Sequence, residues 1–281
     1  MAKLLMSFFL ALAALSTGCS RMSLAYRFAD TSAHWALDDH FDFKGDQSAK
    51  VKAELAKAKT KLRKEWIPSV TAEFRATAET MRTSPPQTEA DAIKLLDQKE
   101  QTWENLFKAA WHVVTPEMKK ASEVLQWHNW ESFRKNYAKQ SGKIKRESSG
   151  KCAGRLEDQV EIWTGSVTNE QEKRIDDYCK SNAWPPEERA KNRDFLLPKF
   201  EEFAGITEKS FNGPKFVDSL EAWSDKQREI SIPEYKAKKE VSRLELKKTL
   251  AWMLLNLTEK QKKRFIDTLE NRAQELDSLE K

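Results

Sequence analysis

Helical spacing of apolar positions recurs almost from end to end of the chain, and no stretch shows the strict alternation of a half-buried strand. A first helix is expected from about Met22 to Asp42, with Tyr26, Trp35, Leu37 and Phe41 turned toward a core. A second, very basic one starts at Gly45 or Asp46, is interrupted or kinked at Pro68 and runs on toward Met81. After the break at Ser84-Pro85-Pro86-Gln87, a third runs from Thr88 to Val113. Its stripe of Trp103, Leu106, Phe107, Ala110, Trp111 and Val114 recurs at three- and four-residue steps. Thr115-Pro116-Glu117 has the form of a helix start, a capping hydroxyl followed by proline in the first turn. The fourth helix then carries Trp127, Trp130, Phe133 and Tyr137 to about Lys139.

Residues 140–151 are the most linker-like segment and set a soft boundary between regions 19–140 and 141–281, unless the two form one continuous domain. Two short helices follow, about Lys151 to Trp163 and Thr168 to Ser181, turning at Gly165. Beyond Trp184-Pro185-Pro186, helices are expected over about Glu187 to Phe203, Asn212 to Arg228, Pro233 to Asn256 and Thr258 to Leu279. The fold class is therefore all-α, a multi-helix bundle or an irregular array of antiparallel helices.

One local pattern recurs: an apolar residue, then a cap, at Val114-Thr115-Pro116-Glu117-Met118, Val167-Thr168-Asn169-Glu170-Gln171 and Leu257-Thr258-Glu259-Lys260-Gln261. Phe43-Lys44-Gly45-Asp46-Gln47 is a degenerate fourth. A threonine hydroxyl there accepts an orphan amide, a glutamate sits in the positive first turn and the apolar residue staples the start. The intervals are irregular, so no solenoid is implied.

Ahead of these helices, Lys3 and the apolar run Leu4 to Leu15, broken only by Ser7, have the form of a secretory signal over residues 1–18. The run is too short to span a bilayer, which takes about 20 apolar residues. Ser16-Thr17-Gly18-Cys19 resembles a bacterial lipobox, with Ser16 where leucine is usual and Cys19 the acylated residue. Ser20 after the cysteine resembles an outer-membrane address in enteric lipoprotein sorting. The expected setting is a lipid-anchored body at the outer membrane, on its periplasmic face.

Composition agrees with a helical, exported body. Charged residues make up 33% of the 281, against 39% hydrophobic, with 8 Gly and 9 Pro. Ten Trp and 14 Phe supply large surfaces for burial. The formal charge of +5 falls to +4 without Lys3; in a periplasmic setting it points to anionic lipid, lipopolysaccharide, peptidoglycan or an envelope protein, not to nucleic acid. With Cys19 acylated, Cys152 and Cys179 remain as an even pair in an oxidising compartment. They stand equidistant from Gly165-Ser166, so an antiparallel hairpin brings them level and a disulfide is expected.

The lipobox with Arg21 to Tyr26, Ala29-Asp30, Trp35-Ala36-Leu37-Asp38, Phe41-Asp42-Phe43 and Gln47 resembles a family of all-helical bacterial lipoproteins catalogued as a domain of unknown function. The motif positions are Tyr26, Asp30, Trp35, Leu37, Asp38, Phe41 and Asp42, and the family implies no activity. Related sequences commonly carry an aromatic residue where this chain has His40. Leu257 to Gln261 is also similar to the Leu-Thr-x-x-Gln signature of Spy-like periplasmic chaperones.

His34, Asp38 and Asp42 at four-residue steps are a candidate divalent-metal set, weighed against a structural polar cluster, which is the preferred reading. No G-x-S-x-G, Gly-rich phosphate loop or H-E-x-x-H is present, so no catalytic residue and no cofactor is assigned. The basic run Lys50 to Lys64 follows the anchor and is spread around its helix, as on a solvated face. The expected role is a non-enzymatic interaction or scaffold module. A chaperone for unfolded clients and a cryptic metal-dependent enzyme are the alternatives.

Overall fold

The computed structural model describes residues 26–146, 149–181 and 185–279. Within them lie eleven helices and no strand. They are α1 (Ala29–Phe41), α2 (Gln47–Glu65), α3 (Ile67–Thr83), α4 (Glu89–Ser122), α5 (Trp127–Ile144), α6 (Ser149–Thr164), α7 (Asn169–Ser181), α8 (Pro186–Ala204), α9 (Gly213–Ile230), α10 (Pro233–Leu255) and α11 (Glu259–Ser278). The expected signal peptide over residues 1–18 and Cys19 lie outside the described residues.

Helix α4 is the spine. Its 34 residues extend about 50 Å at 1.5 Å per residue. Thr88 and Asp91 form a capping box at its start, the hydroxyl accepting the Asp91 amide while the carboxylate takes the Thr88 amide. Helices α2, α9 and α10 pack along it, and α3 pairs with α11 beside them. Ion pairs mark the register of that pairing: Arg75 with Asp277, and Arg82 with Glu270. Lys247 of α10, its side chain only 14% exposed, reaches both Asp97 and Glu100 of α4.

Three apolar cores are strung through this frame. The largest centres on Trp130, which is fully buried, with Phe41, Phe200, Phe216, Val217 and Leu220 from α1, α8 and α9. Ring centroids 4.9 Å (Phe133) and 5.5 Å (Phe216) from Trp130 fall in the range where aromatic pairs attract. The Trp130 Nε1–H donates to Glu201 Oε1 at 2.9 Å, so the buried indole is satisfied. A second core joins Trp66, Ile67, Val70, Ala110 and Leu276, with the Trp66 indole donating to the Leu106 carbonyl at 2.8 Å. The third joins Ala153, Ile175, Tyr178, Cys179 and Met253. Residues on both sides of position 140 share the first core, and α5 continues through buried Ser141 and Ile144 into the linker-like segment.

The structure corrects two local expectations and shifts a third. Thr115-Pro116 does not start a helix; α4 passes through it, and the break falls at residues 123–126. Proline inside a helix costs about 3 kcal/mol, but the buried stripe of Ala110, Val114, Glu117 and Ala121 continues across it. Packing outweighs the lost bond, and the Thr115 hydroxyl donates to the Trp111 carbonyl at 2.7 Å. Of the kink or interruption expected at Pro68, the structure has the interruption, displaced to Trp66. The chain breaks at Trp66, and Pro68 occupies the first turn of α3, where its missing N–H has no partner to lose. Trp35 does not face a core: it is 65% exposed, because the inward faces of α1 are taken by His34, Leu37 and Phe41.

Candidate functional site

The family-like motif lies on α1, which braces α2 at one end and α5 at the other. At its N-terminal end, the Tyr26 hydroxyl donates to the Lys59 carbonyl at 3.3 Å, and the Lys59 ammonium sits 5.6 Å from the Tyr26 ring centroid. That ammonium also pairs with Asp30 at 2.6 Å in a largely buried contact. Burial pushes the Asp30 carboxyl upward, but the Lys59 ammonium and the first-turn amides outweigh it, and its pKa lies below the ordinary aspartate value. Burial raises the Tyr26 phenol.

The sign follows from the direction. A depressed carboxylate adds stability that is present above its unfolded pKa and lost as pH falls through its folded one. Asp30→Asn is expected to unfold at lower urea than the native chain at neutral pH. The gap should narrow below the ordinary aspartate range and close once Asp30 is protonated. A gap that is constant with pH across an acid series of urea midpoints would show that the charge is not the cause.

At the C-terminal end of α1, Phe41 stacks on Phe133 at 5.1 Å and meets Phe216 edge-on at 6.0 Å. Leu37 packs against the same core. Asp38 Oδ1 accepts the Phe43 amide at 2.8 Å, while Asp42 takes the left-handed conformation (φ 52°) that ends the helix and pairs with Lys44 at 2.7 Å in solvent. His34 is buried, with Nε2 2.9 Å from the Ser48 hydroxyl. The three members of the candidate metal set thus face three different partners. Among the described residues no three His, Cys, Asp or Glu side chains converge as ligands. His40 bonds the Ala36 carbonyl through Nδ1 and Gln140 through Nε2. Gln140 accepts from Arg193, whose guanidinium lies 3.9 Å over the Tyr137 ring. Burial lowers the pKa of that guanidinium. The string ties α1, α5 and α8 together. Of the motif positions, Trp35 and Asp42 are exposed.

The recurring caps form two interlocked pairs. Thr168 and Thr258 each accept the amide of the glutamine three places on, and each glutamine Oε1 accepts the threonine amide in return, at 3.0 and 2.9 Å. The glutamines are then exchanged across the molecule. Gln171 Nε2 donates to Gln261 Oε1 and to the Asn256 carbonyl, and Gln261 Nε2 donates to Gln171 Oε1 and to the Ser166 carbonyl, at 2.8–3.2 Å. Both side chains are essentially fully buried. This knot joins the α6–α7 turn to the α10–α11 turn.

A second knot of the same form joins the α1–α2 turn to the α4–α5 turn. Gln47 Oε1 accepts the Lys44 amide at 2.8 Å, and Asn129 Oδ1 accepts the Gln126 amide at 2.9 Å. Gln47 Nε2 donates to Asn129 Oδ1 and to the Val124 carbonyl; Asn129 Nδ2 donates to Gln47 Oε1 and to the Phe41 carbonyl. The degenerate copy at 43–47 thus keeps the glutamine half of the box without a capping hydroxyl, and its partner is Leu125-Gln126-Trp127-His128-Asn129, not the Thr115 copy. That partner escaped the sequence pattern because it carries glutamine for threonine and asparagine for glutamine. An amide three places after a polar cap, with an apolar residue before it, was the available signal.

Cys152 and Cys179 stand at disulfide distance, 2.03 Å between sulfurs and 5.8 Å between Cα atoms, on neighbouring α6 and α7. Beside them the Tyr178 hydroxyl meets Ser242 Oγ at 3.0 Å, tying α7 to α10. No helix among the described residues is long and apolar enough to cross a membrane. No protein family, no curated protein and no solved structure matches this chain.

Proposed function

We propose that the protein is a lipoprotein tethered through acylated Cys19 to the outer membrane, its helical body acting in the periplasm as a non-enzymatic interaction or scaffold module. The observation that carries the anchor is the run from Lys3 through the apolar Leu4–Leu15 stretch into Ser16-Thr17-Gly18-Cys19. The scaffold reading is supported by how the polar motif residues are used. Asp30, Asp38 and His34 are each engaged in a structural bond, and four turns are locked in pairs by buried amides. Multiple acyl chains, each methylene contributing about 0.8 kcal/mol on burial, make a stable tether. An envelope protein, peptidoglycan or lipopolysaccharide is the proposed partner.

A second reading, a helical chaperone for unfolded envelope proteins, draws on the Val167–Gln171 box. With Leu257–Gln261 it makes two apolar-Thr-x-x-Gln boxes that contact each other, where the resemblance to Spy-like chaperones rested on one.

Cell fractionation tests the anchor. Cys19→Ser is expected to move the protein from the membrane pellet to the soluble periplasmic fraction with its far-ultraviolet dichroism unchanged. Retention in the outer-membrane pellet at high salt would refute the tether. Suppression of aggregation of a reduced, unfolding client at substoichiometric amounts would favour the chaperone over the scaffold.

A further inference from the structure

On the outer side of α1 and its N-cap residue Phe28, two aromatic rings are exposed. Phe28 is 50% exposed and Trp35 65% exposed, seven residues apart, with Ser32 between them and Asp39 beyond, both exposed. Seven residues are two helical turns, so both rings project from one side, about 10 Å apart along the axis. Tryptophan is normally among the most buried side chains on average, which makes a largely bare indole informative. No hydrogen bond to that indole is made among the described residues. At the N-terminal end of the stripe Arg27 is exposed; at the other end stands a carboxylate, Asp39.

The position of this face relative to Cys19 names its occupant. Phe28 stands nine residue steps after Cys19. Fully extended they span about 30 Å, at 3.3–3.6 Å per residue, whatever path they take. An acylated Cys19 therefore holds α1 within about 30 Å of the bilayer at high effective concentration, which leaves this exposed face within reach of the membrane. Indole and phenyl rings flanked by a cationic side chain are the composition of interfacial anchors, in which the aromatic body sits at head-group depth. Arg27 suits anionic head groups, and Asp39 sets the C-terminal end of α1 away from them.

We propose that Phe28 and Trp35 dock α1 onto the surface of the membrane that carries the acyl anchor, fixing the orientation of the helical body. This rests on the lipidation of Cys19. The test uses the acylated full-length mature protein, labelled with fluorotryptophan and reconstituted into phosphatidylethanolamine–phosphatidylglycerol vesicles. The Trp35 resonance is identified as the one of ten missing from Trp35→Phe. Flotation of the vesicles reports the tether separately. The expected result is that Trp35 is broadened by nitroxide-labelled lipid and protected from an aqueous gadolinium chelate. Cys19→Ser protein without vesicles should show the reverse toward the chelate.

Three outcomes overturn the proposal. Protein that fails to float takes the tether down with it. Floated protein whose Trp35 remains open to the chelate leaves the tether standing and removes the docking. Floated protein whose Trp35 is shielded from both probes has that face covered by a second copy or another protein instead of lipid.

Discussion

Gly213→Ala is expected to lower the stability of the folded body by on the order of 3 kcal/mol, the upper end for overpacking a fitted contact. The cause is proximity, not backbone freedom. Gly213 opens α9 where it abuts the end of α4, and a Cβ there would lie 1.7 Å from the Ser122 carbonyl oxygen and 2.5 Å from its carbon. Nothing at that point yields easily. The Ser122 carbonyl accepts the Leu125 amide at 3.0 Å and so begins the turn that places Gln126 and Asn129. Relief requires moving α9 off the spine or disturbing the knot that holds the α1–α2 turn. Gly142, in the last turn of α5 with nothing within 4 Å of its own added Cβ, is the control. Alanine there is expected to be neutral or to stabilise by up to about 1 kcal/mol through helix propensity. Urea midpoints followed by circular dichroism compare the two; equal midpoints for both variants would refute the close-approach argument.

Gln261→Ala is expected to cost about 3–5 kcal/mol, because truncation removes four hydrogen bonds from one buried knot, each worth about 0.5–1.5 kcal/mol net. The Thr258 amide loses its partner, while the Ser166 carbonyl and each end of the Gln171 amide lose one of two. Gln171 lies across the knot and suffers the mirror-image loss, so the two positions act as one unit. The double variant Gln171→Ala/Gln261→Ala should therefore cost clearly less than the sum of the singles. Pairing Gln261→Ala with Asn129→Ala, in the separate knot, should instead be close to additive. Simple addition within the Gln171–Gln261 pair would mean that the amides are independent caps that merely lie close together.

These two expectations come from different levels of information. The all-α class, most helix boundaries and the level pairing of Cys152 with Cys179 were legible along the chain, because they follow from local periodicity, capping chemistry and equal distance from a turn. Thr168 and Thr258 announced themselves as caps for the same reason. What local pattern overstated was the force of proline at 116: a capping hydroxyl and a ring in the first turn describe a helix start, yet a continuous buried stripe carried α4 through. Trp35 shows the complementary failure. An aromatic residue in an amphipathic stretch was placed inside by its hydrophobicity, and only the packing of its neighbours His34, Leu37 and Phe41 shows that the inward arc was already filled.

The candidate metal set failed for a geometric reason as well. Steps of four put His34, Asp38 and Asp42 near one another on an ideal helix, but Asp42 is the left-handed residue that ends it, and Asp38 turns back to cap that end. Spacing supplied the proximity, and the helix terminus removed it.

By itself the sequence determined most of the helices, the caps at Thr168 and Thr258 and the cysteine pair, all of which depend on residues near one another in the chain or on their symmetry about a turn. The tertiary structure alone decided which caps interlock, that Gly213 lies against Ser122, and that Phe28 and Trp35 remain outside. Those outcomes turn on contacts between residues tens to about a hundred positions apart, and a buried amide or a bare glycine carries no mark in the sequence of the partner it will meet.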